Sequence, residues 1–190
     1  EQLQVPVIVL TDQSLGQSRA IVDRPADLAF IGRREMPVAG VTGYQRYALT
    51  ASGVSPMAIP GIPGGEYIAD GLEHAVSGRP SSGNEDHSAQ LDKRARKLAL
   101  FDYGDHWADV EGDGPLAIVT LGSCSGPVRE ACARAKALGI ATRLISLRLL
   151  APAQEDRFAK ALGGADRVLV VEQTHSKQFY RYLRAHYDLP

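Results

Sequence analysis

Residues 115–190 alternate strand and helix signals so regularly that one class of fold is left for them. The run LAIVTL over 116–121 is continuously apolar, as a strand buried on both faces is. A helix pattern follows over 128–138 and a second strand over 140–147. A helix over 154–162, the strand 168–171 and a helix over 177–186 complete the series. Short connections between alternating strands and helices give a parallel sheet with crossover helices. The expectation is a compact α/β domain over 113–190.

The stretch 21–112 obeys none of this. It holds 12 of the chain's 19 glycines and 6 of its 11 prolines, and its apolar runs are short. More than ninety residues of structureless loop are improbable in a compact domain, so short strands and turns laid against another surface are expected, with a partner as the natural candidate. AIPGIPGG at 58–65 cannot be helical, because its prolines lack donors and its glycines favour turns. HSAQLDKRARKLAL at 87–100 places Leu91, Ala95 and Leu98 at helical spacing among basic residues, which predicts a surface helix.

At the start, Val5-Pro6-Val7-Ile8-Val9-Leu10 is again a continuous apolar run, expected to be a strand buried on both faces of a parallel sheet, with 11–16 as a strand-end loop. Such a strand normally follows a helix, and four residues supply only the end of one. The chain therefore reads as a piece of a longer polypeptide, divided into 1–20, the end of one sheet domain, 21–112, a connecting and interface region, and 113–190.

With 190 residues, 44% hydrophobic and 23% charged, the composition is that of a globular protein. The formal net charge of −1 offers no global field for nucleic acid or an anionic bilayer. Nothing approaches the ~20 apolar residues of a membrane span, and no signal-peptide pattern opens the chain, so a soluble protein is expected. The two cysteines, Cys124 and Cys132, lie eight apart in one turn and helix, about 10 Å or more by helical rise and beyond disulfide reach. A reducing cytoplasm is the default compartment.

Several groups could carry chemistry. Gly122-Ser123-Cys124-Ser125-Gly126 is a cysteine form of the nucleophile elbow, with Glu172 and His175 following in the order acid, then base. The alternative is a tight strand-to-helix turn in which Ser125 caps the helix and Pro127 occupies its first turn. A helix N-terminus there could also hold an anion. Glu73 and His74, and then Glu85, Asp86 and His87, read as acid/base or metal groups, as subunit contacts or as solvated loop residues. Lys93, Arg94, Arg96 and Lys97 could clamp a phosphate or an acidic surface, or simply be solvated.

Taken together, PVIVLTDQSLGQ at 6–17, ASGVSPMAIPG at 51–61, DGLEH at 70–74, HSAQLDKRARKL at 87–98, LGSCSGPVREA at 121–131 and VVEQTHSKQFYRYLRA at 170–185 resemble the C-terminal part of the α subunit of 2-oxoacid:ferredoxin oxidoreductases, the 2-oxoglutarate type in particular. The likeness covers essentially the whole chain. It implies the end of a pyrimidine-type thiamine-diphosphate domain, a connecting region, and a domain like the transketolase C-terminal domain with a parallel sheet.

The implied reaction is oxidative decarboxylation of 2-oxoglutarate to the acyl-coenzyme A, reversible in principle. Thiamine diphosphate with Mg²⁺ and an iron–sulfur cluster would serve in the parent complex, with none expected on this chain alone. The implied partners are the β subunit, ferredoxin, the 2-oxoacid and coenzyme A, and neither nucleic acid nor membrane. No residue here is expected to be catalytic, Cys124 included. Asp70, Gly71, Glu73, His74, Lys93 and Arg94 are expected at the subunit interface or the active-site entrance. Met57, Ala75, Val76, Thr174 and Lys177 depart from the family pattern and bear on loop chemistry. A cysteine hydrolase, a non-catalytic partner-binding module, and a transketolase or branched-chain dehydrogenase relative remain as alternatives.

Overall fold

In the computed structural model the described residues are 2–24 and 34–190. They fall into two compact units, one of Glu1–Val9 and Ala20–Phe101, the other of Leu10–Arg19 and Asp102–Pro190.

The second unit is the α/β domain. Strands β1 (Ala108–Glu111), β2 (Leu116–Leu121), β3 (Thr142–Leu147) and β4 (Arg167–Val171) form one sheet in the order β1-β3-β2-β4. β2 runs parallel to both β3 and β4, with Ile118 opposite Leu144 on one side and Leu169 on the other. The sheet is mixed rather than all parallel, because β1 pairs antiparallel with β3, Ala108 facing Leu147. Its sequence, ADVE, is too short and too polar to read as a strand, which an edge position permits.

Period-two alternation sorts the side chains onto two faces. Ile118 and Leu144 meet Val128 of α3 (Ser125–Ala137). Ala117, Val119, Ile145 and Leu147 meet Phe158 and Leu162 of α4 (Glu155–Leu162) and Phe179 and Leu183 of α5 (Gln178–His186). Each large side chain fully buried here contributes roughly 1.5–3 kcal/mol. Arg143 is buried in the same unit because its guanidinium donates to the carbonyls of Ala161, Gly163 and Asp113, so that it satisfies carbonyls at the C-terminal end of α4.

The first unit is largely irregular. Its long helix is α2 (Asn84–Ala99), and the backbone around it is fastened by side chains. The Tyr44 hydroxyl donates to Pro56 O and accepts from Ala58 N, while Ser55 Oγ donates to Ala48 O and Thr50 Oγ1 to Val54 O. Gly53, at φ +77°, lets this hairpin press onto α2. A Cβ there would sit 2.7 Å from Lys93 O and 2.8 Å from Lys97 Cβ.

One expectation is corrected. Residues 5–10 form no strand: no ladder forms there among the described residues, and Val7, Ile8, Val9 and Leu10 are 79–90% exposed. An apolar run becomes a strand only when another strand accepts its hydrogen bonds, and no described strand does. Helix α2 forms where a surface helix was expected, with polar residues on its inner face. Its apolar stripe Leu91, Ala95 and Leu98 faces outward, whereas Gln90 and Lys93 are buried. The irregular backbone inside needs donors for its carbonyls, and those polar side chains supply them. The expected loop over 11–16 contains one helical turn, α1 (Gln13–Gln17).

Candidate functional site

The residues singled out at 70–74 and 93–94 are brought together in the first unit. Glu73 lies 21 positions before Arg94 in sequence, yet its two carboxylate oxygens accept from both terminal nitrogens of that guanidinium, at 3.1 and 2.6 Å. His87 Nδ1 is 3.2 Å from the same carboxylate. The Arg94 hydrogen bond, reinforced by the His74 backbone N–H, the Arg94 charge and His87, outweighs burial and pulls the Glu73 carboxyl down to about 2.

His74 is buried, and its ring stacks on Tyr47 with centroids 4.3 Å apart and planes at 5°. Its Nε2 stands 3.1 Å from Asp70 Oδ1, but the pair is too poorly aligned to count as a hydrogen bond. Asp70 Oδ1 also accepts from Leu72 N, which turns the chain at Gly71, an exposed residue with open space where a side chain would stand.

Lys93 is the most constrained of the group. Its Nζ donates to Tyr47 O at 3.1 Å, Ala48 O at 3.4 Å and Ser55 Oγ at 3.1 Å, and lies 5.8 Å from the centre of the Tyr47 ring. No carboxylate bonds it. Burial, and then the charges of Arg46, Lys97 and Arg94, push the ammonium down to about 8. Gln90 Nε2 donates to Tyr47 O as well, at 2.9 Å. Tyr47, Ser55 and Gln90 are the partners that sequence reading missed. Nothing in spacing marks a tyrosine whose carbonyl, rather than its hydroxyl, is the receptor.

The elbow does not assemble into a nucleophilic site. Cys124 is buried, both cysteines are free thiols, and the turn is a short 3-10 helix opened by Gly122 at φ +62°. Ser125 does not cap α3 as expected. The helix has no side-chain cap, and the Ser125 hydroxyl instead meets Ser146 Oγ on β3 at 2.6 Å.

Glu172 is committed elsewhere. Its carboxylate accepts from Phe179 N at 3.0 Å, Tyr180 N at 2.9 Å and the Thr174 hydroxyl, and so caps α5. Burial raises its pKa, but those three bonds and the Lys177 charge prevail and lower it. The groove of about 610 Å³ beside β4, lined among others by Glu172, Thr174, His175, Lys177 and Tyr180, does not include Cys124. A carboxylate that caps a helix cannot also orient His175 toward a buried thiol.

No protein-family profile matches the chain. It is 29% identical over 195 residues to the α subunit of 2-oxoacid:ferredoxin oxidoreductase 2 from Aeropyrum pernix, an alignment that takes in 98% of this chain and 30% of that subunit. Subunit KorA of 2-oxoglutarate synthase from Methanothermobacter marburgensis is 25% identical over 191 residues, which cover 97% of this chain and 49% of that one. Among solved structures, the 2-oxoglutarate:ferredoxin oxidoreductase from Magnetococcus marinus, determined with 2-oxoglutarate, coenzyme A and succinyl-CoA bound, superposes with a TM-score of 0.75 at 31% identity. That superposition covers 88% of this chain and 30% of the other.

The chain is homologous to 2-oxoacid:ferredoxin oxidoreductase α subunits. It spans 30% of the Aeropyrum subunit and about half of the Methanothermobacter one. As an α-subunit homologue it has the mixed α/β architecture described above, and the hydrolase reading of the elbow falls away. Among the described residues no helix is long and apolar enough to cross a membrane, and no three His, Cys, Asp or Glu side chains are grouped to hold a metal ion.

Proposed function

We propose that the chain serves in the α subunit of a thiamine-diphosphate-dependent 2-oxoacid:ferredoxin oxidoreductase that converts 2-oxoglutarate and coenzyme A to the acyl-coenzyme A, with ferredoxin as electron acceptor. The observation that carries this is the superposition on the Magnetococcus marinus enzyme over 88% of the chain. Thiamine diphosphate, where bound, supplies the carbanion chemistry.

The residues here do not fit the redox groups. A cysteine-held iron–sulfur cluster takes about four thiolates, and the chain has two cysteines, one of them buried. For the Mg²⁺ that accompanies the diphosphate, no cluster of three or more His, Cys, Asp or Glu side chains occurs among the described residues. In this reading the chain serves as scaffold and subunit contact, and those groups belong to the parent complex.

In that role Asp70 and Gly71 form the exposed tip of a loop whose base is fixed by Glu73 on Arg94 and by His74 on Tyr47. The exposed tip meets the β subunit or borders the active-site entrance. Lys93 contributes from inside by holding α2 in place. Charge reversal at Asp70, the exposed member, is the direct test. Asp70→Lys should weaken association of the two subunits on gel filtration, and an unchanged elution of the complex would count against the contact.

The isolated chain is expected to bind thiamine diphosphate only weakly. A calorimetric titration showing micromolar binding to it would overturn the scaffold reading.

A further inference from the structure

The loop at 70–74 brings an imidazole and a carboxylate together in a geometry that no hydrogen bond explains. His74 Nε2 lies 3.1 Å from Asp70 Oδ1, yet it has no hydrogen-bond partner among the described residues. The His74 side chain is 5% exposed, so bulk water does not supply one.

In a hydrogen bond the N–H points along the line between donor and acceptor. Two ligands of one cation are arranged differently. With the nitrogen and the oxygen each about 2.0–2.2 Å from a metal ion, the two atoms stand roughly 3 Å apart and the ring lone pair points to one side of the line joining them. A short separation without alignment is what a chelating pair shows.

Both ligands are positioned by the fold. The His74 ring is stacked on Tyr47, and its backbone forms a bridge with Pro80. Asp70 Oδ1 accepts from Leu72 N at 2.8 Å, which leaves that oxygen a second lone pair. Access comes from the outer side, where the Asp70 side chain is 33% exposed and the space about Gly71 is open. Glu73 is taken, since both its oxygens accept from Arg94 and His87 stands against one of them.

We propose that His74 Nε2 and Asp70 Oδ1 form a two-ligand site for a zinc-type divalent cation, with water in the remaining positions. An imidazole beside a carboxylate suits an ion of that kind, whereas Mg²⁺ and Ca²⁺ take oxygen ligands. Two protein ligands instead of three or four make the site open and exchangeable. Its chemistry differs from that of the Mg²⁺ that accompanies thiamine diphosphate, and the proposal does not depend on the oxidoreductase reading.

The test is calorimetric titration of Zn²⁺ into the 190-residue chain with Mg²⁺ in excess. It is run at about pH 7.5, because metal ligands must be deprotonated. One saturable site is expected. Asp70→Asn, which keeps an acceptor for Leu72 N and removes the charge, should weaken binding by about tenfold or more. His74→Phe, which keeps a ring against Tyr47 and removes the ligand, should do the same. His87→Gln and Cys132→Ser should leave the isotherm unchanged.

No saturable binding by the unsubstituted chain would overturn the proposal, as would binding that survives either Asp70→Asn or His74→Phe. An equal loss in His87→Gln would also overturn it, because the ion would then sit between Glu73 and His87. Displacement of Zn²⁺ by Mg²⁺ would count the same way, since it would reveal a site made of oxygens alone.

Discussion

Arg94 grips Glu73 with both guanidinium nitrogens, at 3.1 and 2.6 Å, and that pair ties the loop at 70–74 to helix α2. The Arg94 side chain is 47% exposed, so the pair contributes at the surface scale of about 1 kcal/mol. Arg94→Ala should lower stability by that amount at pH 7. Because the Glu73 carboxyl is depressed to about 2, its contribution is present above the ordinary carboxylate pKa and fades as pH falls toward 2. Denaturant melts of both proteins at pH 7 and near pH 2 should converge at the lower pH; a gap that persists there would contradict the assignment.

Lys93 predicts the opposite end of the scale. Its folded-state pKa of about 8 lies below the usual 10.5, so between those values the unfolded chain binds more protons and stability rises with pH. Lys93→Met should abolish that rise. It should also cost about 1–3 kcal/mol near pH 7, because the Tyr47 and Ala48 carbonyls and the Ser55 hydroxyl lose a donor. Chemical denaturation between pH 7 and 10.5 measures both effects.

Gly53 holds the two parts of the first unit at close range. Its φ of +77° disfavours any side chain, and the atoms in the way, Lys93 O and Lys97 Cα, belong to a helix backbone that cannot swing aside. Gly53→Ala should destabilise by roughly 2 kcal/mol or more. A thermal midpoint within a degree of the unsubstituted chain would show that the hairpin does not press on α2.

Lys177 is one of two non-glycine residues in the left-handed region among the described residues, at φ 54° and ψ 47°, just before α5. Relieving that conformation with Lys177→Gly should stabilise the second unit by about 1 kcal/mol. Loss of stability instead would mean that the lysine side chain, whose charge acts on Glu172, outweighs the backbone strain.

How far these features could be read from sequence depends on what encodes them. The elements β2, α3, β3, α4, β4 and α5 were legible to within three residues at every end, because burial between helices writes an unbroken apolar run into LAIVTL and a helical period into EDRFAKAL. Strand β1 was not, since ADVE owes its pairing to β3 and not to its own pattern. The apolar run at 5–10 looked like a strand and is not one here, because no ladder partner stands among the described residues.

For the candidate site, the clustering of charged residues and the family resemblance picked out Asp70, Gly71, Glu73, His74, Lys93 and Arg94. Neither assigned Tyr47 or Ser55 to the site; they join it through main-chain turns and a carbonyl. The inward face of α2, carrying Gln90 and Lys93, was equally hidden, because periodicity shows two faces and does not say which one turns inward.

Cys124 separates an enzyme subunit of the proposed kind from a thiol hydrolase. Because the thiol is buried and Glu172 is spent on capping α5, Cys124→Ser should leave the activity of the parent complex within about twofold. A loss beyond tenfold without unfolding would reinstate the thiol.

The central claim is decided by the parent complex that contains this chain, assayed anaerobically for reduction of a low-potential dye by 2-oxoglutarate plus coenzyme A, with pyruvate as the comparison. The account predicts reduction that requires coenzyme A and prefers 2-oxoglutarate. No reduction with either acid, from a complex shown to hold thiamine diphosphate and iron, would contradict it.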